Sequence, residues 1–572
     1  YKMFDRIIFL DRGGYQIFYG NPLEAVVYFK SASNHANANE DQCPRCGNVD
    51  PDQVLQIIEA RIVNEHGKLS RTRKVSPREW FELFKSRKQR IPDKKQPKEK
   101  LPGNYYSIPR VFKQMRIFFS RDLLSKLTNR QYVLISLLEA PLLAVILGYF
   151  TKYFSGTADN PGMYVFRNNE NLPAYLLMSV IVFLFLGLII SSEEIIKDRK
   201  ILQRESFLNL SRFSYLNSKI LIMFMISAIQ TLLYVLVGNL VVEIRGMTFS
   251  YWLILFTTAC FANLLGLNIS SGLNSVITIY ILIPFLLIPQ ILFSGVLVKF
   301  DKLHKSLTNY EYVPVLGDMM TSRWAYEALA VEQFRNNKYR RHFFDIDQDI
   351  SNLRYQEAFL IPTLETTADE SWYYLSENRD QEQTIGNLEI LREQIKKLDP
   401  RLPGLSFNAD RLKIGVFDQE VMKDTKAYLE EITTRLRAQI RELSQERSRR
   451  QEQLIDRIGG LDAFTSLRND HDNQKLSDIL LNRNQLEKII QVDHQLIRKF
   501  EPVYMIPTSN KGRAHFYAPL KRIGNICIST LWFNLIFIWF TSVLLYLALY
   551  YDLLRKVINY AGNVRWRKRG SL

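Results

Sequence analysis

Residues 174–191 read AYLLMSVIVFLFLGLIIS, eighteen residues without a single charge. The hydrocarbon core of a bilayer is ~30 Å thick, and a helix needs about 20 mostly apolar residues to cross it. Buried helices of soluble proteins rarely stay uncharged for so long, so this run reads as a membrane span. Five further runs repeat the pattern, at 132–150, 220–242, 251–267, 276–298 and 526–549. The expected fold is an all-α polytopic membrane protein with six transmembrane helices.

Outside those runs the chain is polar, which explains a mean hydropathy of only −0.12 across 572 residues. Four cysteines in that length exclude a disulfide scaffold. The chain carries 75 Lys+Arg against 58 Asp+Glu. Short cytoplasmic connections collect Lys and Arg, so the distribution of this excess sets the orientation. Residues 1–131 hold 25 Lys+Arg and 14 Asp+Glu. The connection after the second span holds Lys197, Arg199, Lys200, Arg204, Arg212 and Lys219, and the tail holds Arg555, Lys556, Arg565, Arg567, Lys568 and Arg569. The connection between spans one and two offers only Lys152 and Arg167, and the next outer turn only Arg245. Both termini are therefore expected in the cytoplasm, with 299–525 extracytoplasmic, in a multi-pass plasma (inner) membrane protein. The basic excess faces anionic lipid of the bilayer and calls for no nucleic acid. Lys521 and Arg522, just outside the last span, run against this topology. Charges beside a long translocated segment count for less.

Residues 1–30 read as the end of an α/β domain. Two strand-like runs flank Asp11-Arg12-Gly13-Gly14, a hairpin turn, and Asn21-Pro22-Leu23-Glu24 starts a helix with Asn as cap and Pro at the first position. Two strands and one helix cannot bury a core alone, so the chain is expected to be part of a longer protein. Residues 31–104 form a polar cytoplasmic linker, with helices expected at 51–62 and 77–84 and a basic stretch at 85–102. Within 105–131, Ile108, Val111, Phe112, Met115, Phe118 and Phe119 recur at helical spacing among Arg110, Lys113, Arg116 and Arg121. That pattern suits a helix lying at the membrane interface. Spans one to five occupy 132–298, and the sixth span with its basic tail 526–572. Between them, 299–525 holds two amphipathic stripes. Leu429, Ile432, Leu436, Ile440 and Leu443 share one helix face; Leu476, Ile479, Leu486, Ile489, Ile490, Leu496, Ile497 and Phe500 repeat it beyond Gly459-Gly460. An antiparallel helical hairpin is expected.

Independent catalytic chemistry is absent from the sequence: no GxxxxGK[ST] phosphate loop, no HExxH and no GxSxG occurs. Cys43 and Cys46 are spaced to place two thiolates on one zinc, the other ligands coming from His35, His66 or a second chain; a structural turn or free thiols is the alternative. Glu139 lies inside the first span, where an ionisable group marks a substrate path or else snorkels to the headgroups. Gln290 is a second candidate for the path. Gln230, Asn239, Asn263 and Asn268 are expected to bridge helices. Pro284 and Pro289 mark a break in span five where a re-entrant segment could begin.

Three stretches resemble the ABCG (White-like) half-transporters. Residues 1–29 (YKMFDRIIFLDRGGYQIFYGNPLEAVVYF) are similar to the end of that family's ATP-binding domain. Residues 194–205 (EIIKDRKILQRE) resemble its cytoplasmic loop after the second span, and 321–334 (TSRWAYEALAVEQF) its Ser-Pro-x-Arg-Tyr-x-x-Glu-Ala-Leu segment after the fifth. The family's outer segment is much shorter than 335–522, and the Cys43/Cys46 linker lies outside its general pattern.

The resemblance implies the permease part of an ATP-driven exporter that pairs with a second half-transporter, as homodimer or heterodimer, to move an unidentified substrate out of the cytoplasm. ATP and Mg would be bound by an ATP-binding domain outside this chain. Glu194, Arg199, Arg204 and Glu205 would form the coupling loop, and a cavity walled by spans two and five would open outward. The alternative is mechanotransmission, in which ATP hydrolysis moves the outer helical hairpin without carrying a substrate.

Overall fold

The fold is that of a computed structural model describing residues 4–34, 38, 51–63, 69–87, 109–156, 162–205, 208, 210–377, 379–398, 407–492 and 494–569. Two compact units divide the chain, Tyr1–Tyr106 and Ser107–Leu572.

In the first unit β1 (Ile7–Asp11) and β2 (Tyr15–Gly20) pair antiparallel. The Gly14 N–H closes the turn on the Asp11 carbonyl at 3.0 Å. Asn21 then accepts from the Leu23 N–H at 2.9 Å and starts α1 (Pro22–Ala32), as the local signals require. Downstream, α2 (Pro51–Ile58) ends earlier than expected because the chain turns into β3 (Arg61–Val63), which pairs with β4 (Leu69–Arg73). Next comes α3 (Pro77–Arg87). Val54, Ile58 and Trp80 complete one buried cluster with Ile17, Phe18, Val26 and Phe29. The core that two strands and one helix lack is thus supplied from the expected linker, across the boundary drawn at residue 30.

The second unit begins with α4 (Val111–Thr128), which follows directly on Arg110. Phe118 is buried while Val111, Phe112, Leu124 and Leu127 stay exposed, the pattern of a helix with an apolar face left for lipid. Then follow α5 (Arg130–Thr151), α6 (Leu172–Ser192), α7 (Glu194–Glu205), α8 (Arg212–Val242), α9 (Thr248–Gly272) and α10 (Val276–Leu292). Beyond them lie α11 (Val315–Asp318), α12 (Thr321–Arg335), α13 (Phe344–Tyr355), α14 (Ile361–Ser376), α15 (Gln381–Leu398), α16 (Gln419–Ile458), α17 (Leu461–His471) and α18 (Gln474–Leu480). Two hairpins, β5 (Ile489–Val492) with β6 (Gln495–Arg498) and β7 (Leu520–Ile523) with β8 (Ile526–Ser529), precede α19 (Thr530–Tyr550) and α20 (Leu553–Arg569).

Among the described residues five helices are long and apolar enough to cross a membrane: Arg130–Thr151, Leu172–Glu205 (α6 running on into α7), Arg212–Val242, Thr248–Gly272 and Thr530–Tyr550. The expected fifth span is shorter than its apolar run: α10 stops after 17 residues, at Leu292. Pro284 and Pro289 both lie inside it, and Gly295 follows at φ +80°. The expected sixth span starts late, because Ile526–Ser529 pairs with Leu520–Ile523 as strand before α19 begins.

The centre of the bundle is α9, buried along most of its length. It crosses α6 closely: a Cβ on Gly187 would meet the Ala262 Cβ at 2.6 Å and the Ala259 carbonyl oxygen at 2.9 Å. Without a hydrophobic drive between helices in lipid, such small-residue contacts hold them by van der Waals packing.

In the insert, α16 confirms the first expected stripe. Its 40 residues span about 60 Å at 1.5 Å per residue, with Leu429, Ile432 and Leu436 buried. Gly459 and Gly460, at φ +99° and +112°, end it in a conformation that L side chains rarely adopt. The second arm of the hairpin is a correction. Only α17 and α18 are helical, and residues 489–498 form β5 and β6. Asn473 accepts from the Leu476 N–H at 2.9 Å, starting a new helix, and its amide donates to the carbonyls of Phe166 and Asn169. Past Leu480, the β-branched Ile489, Ile490, Val492 and Ile497 suit a strand, and His494 at φ +58° forms part of the turn. The all-α expectation therefore holds for the bundle but not for the insert.

Candidate functional site

The two ends of the bundle differ in what holds them. At one end, α7 packs under α4, α8, α9 and α10. Ser270 of α9 accepts from the first free N–H groups of α7, at Ile195 (3.0 Å) and Ile196 (3.1 Å). Arg199 returns the contact, donating to the Leu273 carbonyl at 2.9 Å and the Ser271 carbonyl at 3.1 Å, where α9 ends. A cation at a helix C-terminus and side-chain oxygens at an N-terminus both match the helix dipoles. Glu193 accepts from Tyr280 of α10.

Charge reinforces this junction. Glu194, buried, meets Lys126 of α4 at 2.5 Å and Lys219 of α8 at 3.1 Å. Lys219 also reaches Asp122 at 2.7 Å and Asp198 at 2.9 Å, and Tyr215 donates to Asp198 at 3.0 Å. Glu205 pairs with Arg121 at 3.0 Å. Of the four expected coupling residues, Glu194, Arg199 and Glu205 thus fasten α7 to its own bundle. Arg204 is exposed, and with Lys197, Lys200 and Ile201 it forms one outward stripe at helical spacing. Sequence reasoning missed Lys126, Asp122 and Lys219. A lysine in the apolar context of α8, two turns from its start, was the available signal.

At the other end, the motif segment is α12, buried over nearly all of its length. Glu327 accepts from the Lys521 ammonium at 2.6 Å, the Asn534 amide at 2.9 Å and the Tyr517 N–H at 3.1 Å. The Arg323 guanidinium lies 3.5 Å from the same carboxylate and 3.9 Å over the Trp324 ring. Burial would raise the Glu327 carboxyl, but Arg323 and Lys521 outweigh it and hold it below the ordinary range. Burial lowers Lys521 to about 7, opposed by Glu327 and aided by Arg323. Two cations share one buried carboxylate, and the lysine is the group that yields its proton. The cluster ties α12 to β7 and α19, and it gives Lys521, which runs against the charge rule for topology, a partner inside the fold.

The remaining candidates separate. Gln290 accepts from the Ser322 N–H at 2.9 Å, and its carbonyl accepts from the Ser322 hydroxyl, so it caps the start of α12. Glu139 is half-buried in α5 with no hydrogen-bond or ion-pair partner among the described residues. The structure does not bring these two together. Gln230 donates to the Ser136 carbonyl of α5, Asn263 to Ser227 of α8 and Asn268 to the Leu545 carbonyl of α19, bridging helices as expected. Asn239 reaches Thr248 at the start of α9. Cys43 and Cys46, with His35 and His66, lie outside the described residues; among those described, no group of His, Cys, Asp or Glu could hold a metal.

Residues 113–331 match the family model described as ABC-2 type transporter. The matched stretch runs from α4 to the middle of α12 and takes in the whole α7 junction. Curated proteins yield no match. The family match supports the membrane (permease) part of an ABC transporter of the ABC-2 kind, which generally works with a partner ABC subunit in a lipid bilayer. With the five apolar helices it points to a multi-pass membrane protein.

Proposed function

We propose that the chain is the membrane-spanning part of an ATP-driven exporter of the ABCG type, acting as a dimer on a substrate that leaves the cytoplasm. The observation that carries this reading is the α7 junction. One short helix is fastened to the ends of α4, α8, α9 and α10 by buried charge and reciprocal helix caps, while its basic stripe faces outward. A push on that stripe would reach four helices at once. The ABC-2 match over the same residues supports a permease, the part that the export reading needs.

The residues of this chain include no phosphate loop, so nucleotide and Mg are assigned to an ATP-binding domain outside it, and no step here runs through them. What this chain does is mechanical: Lys200, Ile201 and Arg204 dock, Arg199 and Glu194 transmit, and the α6–α9 contact moves as one body. On this reading α10 counts as a sixth span, with both termini in the cytoplasm and 299–525 outside. Support comes from contacts within the second unit. Arg212 of α8 pairs with Asp552 after α19, at the α7 end. Asn473 and Asp470 of the insert meet Phe166, Asn169 and Arg245 at the other.

The test is ATP turnover and export by the complete transporter in proteoliposomes. Arg204→Glu with Lys200→Glu is expected to leave assembly intact and uncouple turnover from export. Normal export by that variant would sink the assignment.

A further inference from the structure

The insert lines a partly open cavity of about 790 Å³, within the range of small-molecule sites. Its wall comes from the segment that follows α10, from the end of α13 and the turn after it, from α15, and from the β5–β6 hairpin with the loop beyond it. Aromatic rings supply much of the surface, among them Phe300, Tyr310, Tyr355 and Phe516.

The charges in the wall pair unequally. Lys499 meets Asp301 at 3.0 Å and Lys397 meets Glu393 at 3.5 Å. Arg498 has no carboxylate within ion-pair distance among the described residues. Its guanidinium donates to the Phe500 carbonyl at 2.8 Å, to Asn352 at 2.7 Å and to the Ser351 hydroxyl at 3.2 Å, and lies 4.5 Å over the Tyr355 ring. A guanidinium carries five N–H donors in a planar fork. Three are satisfied by neutral acceptors, which hold the group in place without neutralising it. Burial lowers Arg498 to about 10, so it remains a cation at neutral pH.

A fixed guanidinium with no carboxylate in contact, Glu501 acting on it only through space, lies beside aromatic rings and suits a carboxylate attached to an apolar body, because the fork matches a carboxylate and the rings cover the body. Glu311 also lines the cavity and would repel a second anionic group. We infer that this cavity binds a small aromatic monocarboxylate, with Arg498 holding its carboxylate. Arg498 and most of the wall lie beyond the stretch matched to the transporter family, which contributes only 295–313, and the inference does not depend on the transport reading. Because its wall includes residues 295–313, directly after α10, occupancy would join the insert to the end of that helix.

The test uses the full chain in lipid nanodiscs and isothermal titration with naphthalene-2-carboxylate and its uncharged amide. The carboxylate is expected to bind at least about tenfold more tightly, the effect of one charge-assisted contact. Arg498→Gln should abolish that preference. Gln495→Trp, an exposed lining position whose larger side chain would narrow the cavity without disturbing the core, should weaken binding of both probes while the fold is kept. No binding by the unaltered chain, equal affinity for both probes, or a preference that survives Arg498→Gln overturns the inference. So does unchanged binding by Gln495→Trp.

Discussion

Lys521 and Glu327 lie 194 positions apart, yet their charged ends meet at 2.6 Å with both side chains fully buried. A lysine that looks like a misplaced topological charge is the internal counter-ion of the α12 segment. Because the cluster is enclosed, removing Lys521 leaves Glu327 with Arg323 alone, whereas removing Glu327 leaves Lys521 without a carboxylate in contact.

Glu327→Leu is therefore expected to destabilise the second unit by about 3–5 kcal/mol, the usual cost of stranding a member of a buried pair. Adding Lys521→Met should recover part of that loss. Unfolding midpoints in detergent for the two single variants and the double variant measure the coupling; simple additivity would show that the pair does not act as one unit.

Stability should also depend on pH through this lysine. Its proton leaves near 7 in the folded chain, against an ordinary value of 10.5. Between those values the unfolded chain binds more protons, so stability rises with pH across that window and this contribution is flat below 7. Subtracting the Lys521→Met profile from that of the unaltered chain isolates the effect. An identical slope in both would remove Lys521 as its source.

At the α7 junction, the two ends of the charge pattern should behave differently. Glu194→Gln leaves Lys126 and Lys219 short of a buried partner and should lower the unfolding midpoint. Lys200→Glu, on the outward stripe, should leave it within about 0.5 kcal/mol, as for surface substitutions generally. Glu205→Arg is no pure docking test, since it also places a positive charge against Arg121, 3.0 Å from the carboxylate it replaces. Equal midpoints for the Glu194 and Lys200 variants would contradict the assignment of inner and outer faces.

Gly187→Ala reverses a common expectation. In an open helix interior the change is worth roughly 1 kcal/mol in favour of alanine. Here the new methyl would lie 2.9 Å from the Ala259 carbonyl oxygen, so α6 and α9 must separate. A destabilisation of about 1–3 kcal/mol is expected. A raised midpoint would mean that the crossing is looser than described.

The orientation is open to chemical labelling. Ser448 is exposed on α16, and a cysteine placed there should react with an impermeant thiol reagent in intact spheroplasts. Reaction only after lysis would put the insert in the cytoplasm.

The sequence by itself determined whatever depends on near neighbours. Apolar run length located five helices long enough to span, Asn21 before Pro22 started α1, and Gly459-Gly460 ended α16, because each signal acts within about one helical turn or one bilayer thickness. The tertiary structure decided what depends on distant partners. Leu476 to Phe500 keep a helical stripe on paper, but Asn473 is claimed by carbonyls at Phe166 and Asn169, and the following β-branched residues pair as strands. Glu194 looked like half of a docking surface until Lys126 and Lys219, 68 and 25 positions away, closed on it. Lys521 looked like a charge against the topology until Glu327 enclosed it. A charge has the same letter in water and in a core, and only the fold sets which medium surrounds it and which partner answers it.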